Sequence, residues 1–206
     1  MEIRESDFIW HEGRRYARAT ATIKDYASFG GASEARIAAK GAIGTLVHNE
    51  IDGDLRKEMR LCLPPEHVGY FHSYRTWRDA VRLSVIKTEE RYFDDELMFS
   101  GQIDLLATFP YDDTPVLIDW KTSSSESKTW VLQAHLYAYL IRRSGMKIAD
   151  RYLFIKLHPF GGKAQVFEYI YSDNNERVAI NCVKKFWSCV EKDCQILPKS
   201  AIIEAT

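Results

Sequence analysis

Three charged side chains interrupt two segments of the chain that otherwise resemble apolar β-strands. Asp119 and Lys121 lie two residues apart in VLIDWK, and Asp104 lies alone among apolar residues in GQIDLLATF. Alternate residues of a strand point to opposite faces, so Asp119 and Lys121 share one face and Trp120 occupies the other. Exposed ion pairs of this spacing are common and contribute little by themselves. The function of the pair therefore depends on where Asp104 lies.

The two segments form a predicted hairpin, because PYDDTP at residues 110–115 has the composition of a turn. In an antiparallel hairpin, residues opposite each other share a face, and their numbers have a constant sum set by the turn. Strict alternation groups Asp104 with Leu106 on one face of its strand. An odd sum brings Asp104 to the face of Asp119 and Lys121, and an even sum removes the site.

Two carboxylates about 5 Å apart across such a hairpin would repel each other. In a partly buried place, either one of them takes a proton or both share a cation. Mg²⁺ suits this position because it prefers oxygen ligands and keeps several waters, one of which can act as a nucleophile. Lys121 could orient or deprotonate that water, or neutralise the charge that grows on a phosphate. The constellation is typical of a phosphodiester hydrolase.

The whole chain has the size and composition of one α/β domain. Its 206 residues, of which 46% are apolar, are enough to bury one sizeable core. The formal net charge of −1 argues against a surface that binds nucleic acid throughout, but allows a local basic groove or a bound metal. No segment approaches the ~18 apolar residues of a membrane span, so we expect a soluble cytoplasmic protein.

Apolar periodicity and turn residues predict an order of elements that starts with a hairpin around Glu12-Gly13. The predicted helices span about residues 33–57, 65–86, 129–143 and 175–191, and the predicted strands about 89–93, 98–109, 116–121, 151–157 and 165–171. We expect a single domain over 1–206, with an N-terminal hairpin extension over about 1–32 and a catalytic core over about 88–171.

The segments GQIDLL, LIDWKTS and QAHLY together resemble the motifs of the PD-(D/E)XK nuclease superfamily. They resemble most its RecB-like exonuclease branch, which includes small phage-encoded members. Ile103 replaces the proline of the superfamily motif, a departure that is common in that branch. The resemblance extends from about Phe8 to Tyr171. It implies a restriction-endonuclease-like α-β-β-β-α-β core, in which a central mixed sheet is flanked by helices.

The resemblance also implies roles for residues outside the hairpin. KGAIGTLVHNEID resembles an upstream Gly-x-x-x-His element whose histidine is a metal ligand, a role that the resemblance implies for His48. The alternative is an ordinary hydrogen-bonded helix histidine. TEERYFDDELMFSG resembles the preceding strand, whose acid matches Glu89, with Glu90 as the other choice. Gln133 and Tyr137 match a Gln-x-x-x-Tyr helix motif, and would support the active site or contact the DNA backbone.

The residues next to Lys121 have weaker predictions. The side chain of Trp120 is expected in the core, although its backbone carbonyl could reach the metal. Thr122 or Ser123 could contact a phosphate of the nucleic acid. Ser123 and Glu126 also fit the spacing of a capping box, which would simply begin the following helix.

The ligand types indicate Mg²⁺ or Mn²⁺, because carboxylates suit Mg²⁺, and an imidazole, a borderline partner for Mg²⁺, also suits Mn²⁺. Members of the branch that carry an iron–sulfur cluster use one upstream cysteine and a compact C-terminal trio. Here Cys62 follows His48, and Cys182, Cys189 and Cys194 are widely spaced. We therefore expect no iron–sulfur cluster.

The sequence thus predicts a divalent-metal-dependent deoxyribonuclease, acting as an exonuclease on DNA ends or single strands. The predicted catalytic residues are Asp104, Asp119, Lys121 and Glu89; the predicted metal site comprises His48, Asp104, Asp119 and Trp120; and the predicted nucleic-acid contacts are Gln133, Tyr137, Thr122 and Ser123. The alternatives are a structure-specific endonuclease of the same superfamily and a non-catalytic module for nucleic-acid binding or protein interaction. Binding alone requires neither the two acids nor the lysine. DNA is the expected partner, with a recombination or replication protein as a second partner; polarity, strand preference and oligomeric state stay open.

Overall fold

The structure, a computed structural model, describes residues 2–26, 34–58, 63–110 and 112–196. Its helices are α1 (Ala19–Thr22), α2 (Glu34–Arg56), α3 (Val68–Val81), α4 (Thr129–Arg143) and α5 (Asp173–Ile196). Its strands are β1 (Phe8–His11), β2 (Arg14–Arg18), β3 (Ser84–Asp94), β4 (Phe99–Phe109), β5 (Asp112–Lys121), β6 (Arg151–Lys156) and β7 (Gln165–Ile170). Ser33, the expected start of the first long helix, and Cys62 lie outside the described residues.

The seven strands form one mixed sheet in the order β1-β2-β4-β5-β6-β7, with β3 paired to β4. The β2–β4 and β5–β6 pairs are parallel and the remaining pairs are antiparallel. The run α2, β3, β4, β5, α4, β6 reproduces the predicted α-β-β-β-α-β core, with α3 inserted after α2. The predicted fold class, a mixed sheet flanked by helices, is confirmed.

Helices cover both faces of the sheet, and each face has its own apolar core. On one face α4 and α5 pack over strand residues such as Phe99, Leu117 and Tyr152. On the other face α2 and α3 pack over residues such as Leu105 and Ile118. The central strands are therefore buried on both sides, which explains why they read as nearly continuous apolar runs. A charged side chain in such a strand needs a specific partner.

The β4–β5 hairpin has the register that the site requires. Leu105 pairs with Ile118 and Ala107 pairs with Val116, so the numbers of paired residues have an odd sum. The register shifts between Ala107 and Phe109, close to the turn. Of the two registers left open by the sequence, the structure has the odd one.

The second long helix is shorter than predicted. α3 ends at Val81, and Arg82 adopts the left-handed conformation of a helix C-cap, with φ 52°, while its N–H donates to the Arg78 carbonyl. Strand β3 begins at Ser84. The predicted extension to Ile86 was wrong, because the β-branched pair that follows favours a strand over another helical turn.

The N-terminal hairpin lies at one edge of the sheet. Glu12 and Gly13 have φ values of 48° and 74°, as a two-residue hairpin turn requires. β2 joins β4 through two parallel pairs, Ala17 with Phe99 and the residues that follow each. The boundary of a separate extension at about residue 32 stays a prediction.

Candidate metal and catalytic site

β4 is the strand at which the sheet divides. β3 pairs with one edge of β4 along nearly its whole length. The other edge is shared, because β2 pairs with Phe99 and Ser100 whereas β5 pairs from Leu105 onward. Asp104 lies where these two partner strands part. At such a fork, a side chain can hydrogen-bond to backbone groups that would otherwise pair with the neighbouring strand.

Two groups from different elements fix the carboxylate of Asp104, which is 8% exposed. The backbone N–H of Trp120 on β5 donates a hydrogen bond of 2.7 Å to Oδ2 of Asp104. His48 on α2 places its Nδ1 3.4 Å from the same oxygen. The carboxylate therefore ties β5 to α2 at the place where the β4–β5 ladder ends.

The alternation of side chains along β4 is interrupted at Asp104. Leu106 packs in the core beneath α4, as does Ile103, whereas Asp104 contacts His48 of α2. The prediction that Asp104 and Leu106 share a face was therefore wrong. Beside Asp104, Glu89 on β3 has φ 51°, a left-handed backbone conformation that is uncommon for a non-glycine residue. This local irregularity accompanies the close approach of two acids from neighbouring strands.

His48, Glu89 and Asp104 form a group that could hold a metal ion. Each offers one ligand atom, and these three atoms lie within 4.8 Å of one another. Gln102, two residues before Asp104 on β4, donates through Nε2 to Oε2 of Glu89 at 2.6 Å. The carboxylate of Glu90 instead forms an ion pair of 2.8 Å with Lys87. Of the two acids that the resemblance offered, the structure brings Glu89 to the site.

Asp119 and Lys121 form the second half of the site, on the face covered by α4. Nζ of Lys121 lies 2.5 Å from Oδ2 of Asp119. Gln133 of α4 bridges the pair, because its Nε2 donates to Asp119 Oδ1 and its Oε1 accepts from Lys121 Nζ, each at 3.0 Å. The ammonium also lies 4.8 Å from the ring centre of Phe154. The predicted acid–lysine pair is thus buried and held by a helix.

The donor set fits a hard divalent cation. Carboxylates with one imidazole match Mg²⁺ or Mn²⁺. Oδ2 of Asp119 is buried and accepts no hydrogen bond within the described part of the chain. The nearby ammonium of Lys121 is an ion-pair partner that lacks hydrogen-bond geometry. Asp119 lies outside the group formed by His48, Glu89 and Asp104, so its role as a ligand stays a prediction.

Three of the four ionisable groups, Asp119, Glu89 and His48, hold protons more tightly than isolated side chains would. Burial raises the pKa of Asp119 to about 6, and burial with the charge of Asp104 raises that of Glu89 to about 7. Burial lowers the pKa of His48, but the Asp104 carboxylate outweighs it and raises that pKa to about 9. For Asp104 burial acts upward, yet the His48 charge and hydrogen bond hold its pKa below the usual value. A divalent cation must displace these protons.

The metal-free protein is expected to lose stability as the pH rises from 5 to 9. The pKa of Glu89 is about 7 in the folded state against an ordinary 4.5, so its deprotonation between these values favours unfolding. The pKa of His48 is about 9 against 6.5, so the stability from its ion pair is complete below 6.5 and disappears through pH 9. Thermal melting in chelator measures this slope.

The matched pair Glu89→Gln and Glu90→Gln assigns the lower part of the pH slope. Glu89→Gln should flatten the decline between pH 5 and 7, because glutamine stays neutral, and Glu90→Gln should leave it unchanged. A melting temperature that is constant or rises with pH over this interval would contradict the proposed charge states.

Gln133 and Tyr137 are both 6% exposed. The ring of Tyr137 packs against Gly101 on β4, where an added Cβ would lie 2.7 Å from it. Burial raises the pKa of Tyr137, and the negative charges of Asp119 and Asp104 raise it further. These positions are those of supporting residues, and contact with nucleic acid stays a prediction.

The residues after Lys121 lie at the rim of the site. The hydroxyl of Tyr70 donates to the Thr122 carbonyl at 3.3 Å, and Ser123 is exposed with its hydroxyl 2.9 Å from the Ser125 carbonyl. The capping box predicted from Ser123 and Glu126 was wrong, because α4 begins only at Thr129. Glu126 instead accepts a hydrogen bond from the Tyr169 hydroxyl. The phosphate contacts of Thr122 and Ser123 stay predictions.

The sequence correctly predicted a core position for the Trp120 side chain, but it did not predict that Gln102 belongs to the site. The Trp120 side chain is 1% exposed and packs against the rings of Tyr74 and Trp77, as predicted for a core residue. Gln102, which sequence reasoning missed, connects Glu89 to the guanidinium of Arg91. Its position two residues before Asp104 on the same strand is the signal that could have identified it.

Comparison with known proteins identifies the family. The profile of the PD-(D/E)XK nuclease superfamily matches residues 32–190. The chain belongs to this superfamily. An alkaline exonuclease (LHK-Exo) from Laribacter hongkongensis has a similar structure, with 12% identity, coverage of 90% of this chain and 93% of that one, and a TM-score of 0.51. A candidate exonuclease from Eubacterium rectale has 11% identity, coverages of 86% and 80%, and a TM-score of 0.51.

At these identities, the two solved structures show that this PD-(D/E)XK nuclease superfamily member shares their fold. No curated protein sequence matches it. In the described part of the chain, no helix combines the length and apolar character needed to cross a membrane. The superfamily resemblance drawn from the sequence is confirmed.

Proposed function

We propose that the protein is a divalent-metal-dependent deoxyribonuclease that acts as an exonuclease on DNA ends or single strands. One observation carries this proposal: the ligand atoms of His48, Glu89 and Asp104 lie within 4.8 Å of one another, beside a buried Asp119–Lys121 pair. Membership of a nuclease superfamily supports the reaction class. The exonuclease names of the two similar structures support the choice of DNA ends.

The proposed ion is Mg²⁺ or Mn²⁺, held by His48, Glu89 and Asp104, with Asp119 and the Trp120 backbone carbonyl as further ligands. When bound, such an ion supplies positive charge to a phosphate and lowers the pKa of water. Gln102 holds the Glu89 carboxylate in place from β4. Since partners of ligating groups fix their orientation, Gln102 belongs to the proposed site.

Lys121 is proposed to stabilise the charge that grows on the phosphate during attack, and to orient the nucleophile. The side chain of Lys121 is 17% exposed, so its charge is only partly screened by water. Gln133 holds both Lys121 and Asp119 from α4, which keeps the ammonium in one position before substrate arrives. Such preorganisation is what makes a positioned charge effective in catalysis.

The proposed substrate strand passes the rim of the site near Thr122 and Ser123, where the exposed Ser123 hydroxyl could donate to a phosphate. Gln133 and Tyr137 support the acids from α4 and are proposed to contribute to the same nucleic-acid site. The proposed place of action is the cytoplasm. A recombination or replication protein is the partner class that suits a nuclease acting on ends.

Digestion of linear and closed circular DNA tests the proposal. With Mn²⁺ or Mg²⁺, wild-type protein should degrade linear single- or double-stranded DNA and leave closed circles intact. Asp119→Asn should lose about 10²-fold in rate, because it removes a proposed ligand of the ion and the carboxylate that pairs with Lys121. Cleavage of circles would indicate an endonuclease. Binding of DNA in chelator, with no cleavage under either metal, would instead favour a non-catalytic module.

A further inference from the structure

The turn between β6 and β7, residues 158–163, presents an exposed aromatic ring. Phe160 is 89% exposed, more than any other large apolar side chain among the described residues. The turn around it is nevertheless fixed, because Nδ1 of His158 accepts hydrogen bonds of 3.2 Å from the N–H groups of Phe160 and Gly162. The N–H of His158 in turn donates to Oγ of Ser73 on α3 at 3.0 Å.

The same turn packs tightly against α3. An added Cβ at Gly69 would collide with the carbonyl oxygen of Pro159. Gly161 has φ 76°, a conformation that glycine adopts without strain. The imidazole of His158 meets the Phe160 ring at 5.9 Å between centres and 64° between planes. The exposed ring is therefore held in a defined place before any ligand arrives.

The turn leaves the sheet at the edge where the catalytic lysine lies. Lys156, the last residue of β6, pairs with Lys121 of the parallel strand β5. The N–H of Leu157 donates to the Lys121 carbonyl at 2.8 Å. Four extended residues span at most about 14 Å, which places Phe160 within a few nucleotides of a phosphate bound at Lys121.

The charge of this segment suits a polyanion. The charged side chains of residues 156–163, KLHPFGGK, are Lys156 and Lys163, and the segment contains no acid. Proteins that bind single strands combine cationic groups along the phosphates with aromatic rings on which bases stack. A ring between two lysines, beside the phosphodiester site, matches this combination better than it matches an apolar protein contact.

We propose that Phe160 is a base-stacking residue, which holds a nucleobase of the substrate strand a few nucleotides from the scissile phosphate. This proposal rests on the proposed nuclease function and adds a binding subsite to it. Stacking is tolerant of sequence, because every base has a π-face, so the subsite would position the strand without selecting a base.

Binding of a fluorescein-labelled single-stranded oligonucleotide in chelator tests the subsite without cleavage. Phe160→Ala should weaken binding by about 5- to 150-fold, the effect expected for one lost base stack. Phe160→Trp should restore binding. Ile170→Ala is the matched control, because Ile170 is 60% exposed but lies at the other end of the same hairpin, opposite Arg151. It should bind like wild type.

Two further measurements separate stacking from a structural role. In oligonucleotides with 2-aminopurine at successive positions, wild-type protein should quench one position strongly, and Phe160→Ala should abolish that quenching. With metal, Phe160→Ala should raise KM and leave kcat and the melting temperature nearly unchanged. A catalytic defect with no change in KM would contradict the proposal.

The possible failures are distinguishable. If wild-type protein cleaves DNA and Phe160→Ala matches it in affinity, KM and 2-aminopurine quenching, the stacking proposal is wrong and the nuclease proposal stands. If Phe160→Ala instead loses self-association in light scattering with DNA binding intact, the ring is a protein contact. If wild-type protein neither binds nor cleaves DNA under any metal, both proposals fail.

Discussion

Replacing Lys121 with alanine is expected to lower kcat by about 10²- to 10³-fold, the cost of removing one preorganised donor to transition-state charge. The structure explains why the effect should be large. The ammonium lies 2.5 Å from Asp119 and donates to Gln133. Another cation could take its place only if Asp119 and Gln133 rearranged. Initial rates on a linear substrate at saturating Mn²⁺ measure it. KM should change little, because the charge acts mainly as the phosphate becomes more negative.

The matched control is Lys156→Ala, since Lys156 pairs with Lys121 on the adjacent strand but its Nζ donates to the Ser124 carbonyl and not to a site acid. This variant should retain kcat within a few fold, and any loss should be in KM, because Lys156 belongs to the cationic segment proposed to bind the strand beside Phe160. Removing Lys121 leaves the buried Asp119 carboxylate without its ion pair, which destabilises the fold. Rates must therefore be compared well below both melting temperatures. Equal losses in the two variants would show that Lys121 acts only through general positive charge.

Asp104→Asn is expected to remove most of the thermal stabilisation that Mn²⁺ gives the wild-type protein. Asparagine can still accept the hydrogen bond from the Trp120 N–H, so the link between β4 and β5 is kept while the negative charge is lost. Loss of a ligand should cost at least the roughly 10- to 100-fold in affinity seen for groups that merely support ligands. Since Mn²⁺ at 100 times its Kd stabilises by about 2.7 kcal/mol, most of that increment should vanish.

Asp94→Asn provides the control for this second variant. Asp94 is another buried aspartate, at the far end of β3, where it accepts from the Leu97 N–H and pairs with Arg143. This substitution should lower the melting temperature yet leave the Mn²⁺ increment intact. Isothermal titration with Mn²⁺ at pH 8 gives the affinities directly. An unchanged increment in Asp104→Asn, or a loss shared with Asp94→Asn, would exclude Asp104 from the metal site.

Much of the site could be predicted from the sequence because strand periodicity and hairpin register are local rules. Asp119, Lys121 and Trp120 lie on the faces expected of alternating residues. The odd register that was needed for convergence follows from the turn and from the burial of Leu105 and Ile118. Each of these features depends on residues close together in the chain.

The remaining features depend on contacts between distant segments. The interruption of alternation at Asp104 coincides with the left-handed backbone of Glu89 on a neighbouring strand and with His48 on a helix. Neither position carries a glycine or proline that would signal it. The bridge from Gln102 to Glu89 requires the β3–β4 register, which is set by packing on both faces. The end of α3 was missed because apolar spacing continues past Arg82 into β3.

The register shift between Ala107 and Phe109 separates the hairpin loop from the site. A one-residue slip of β5 would turn the side chain of Asp119 away from α4 and turn that of Trp120 toward α4. Since the irregularity lies on the loop side of the paired residues Ala107 and Val116, it can absorb an added or deleted loop residue before the change reaches the acids. We therefore expect loops of different length to be compatible with the same arrangement of Asp119 and Lys121.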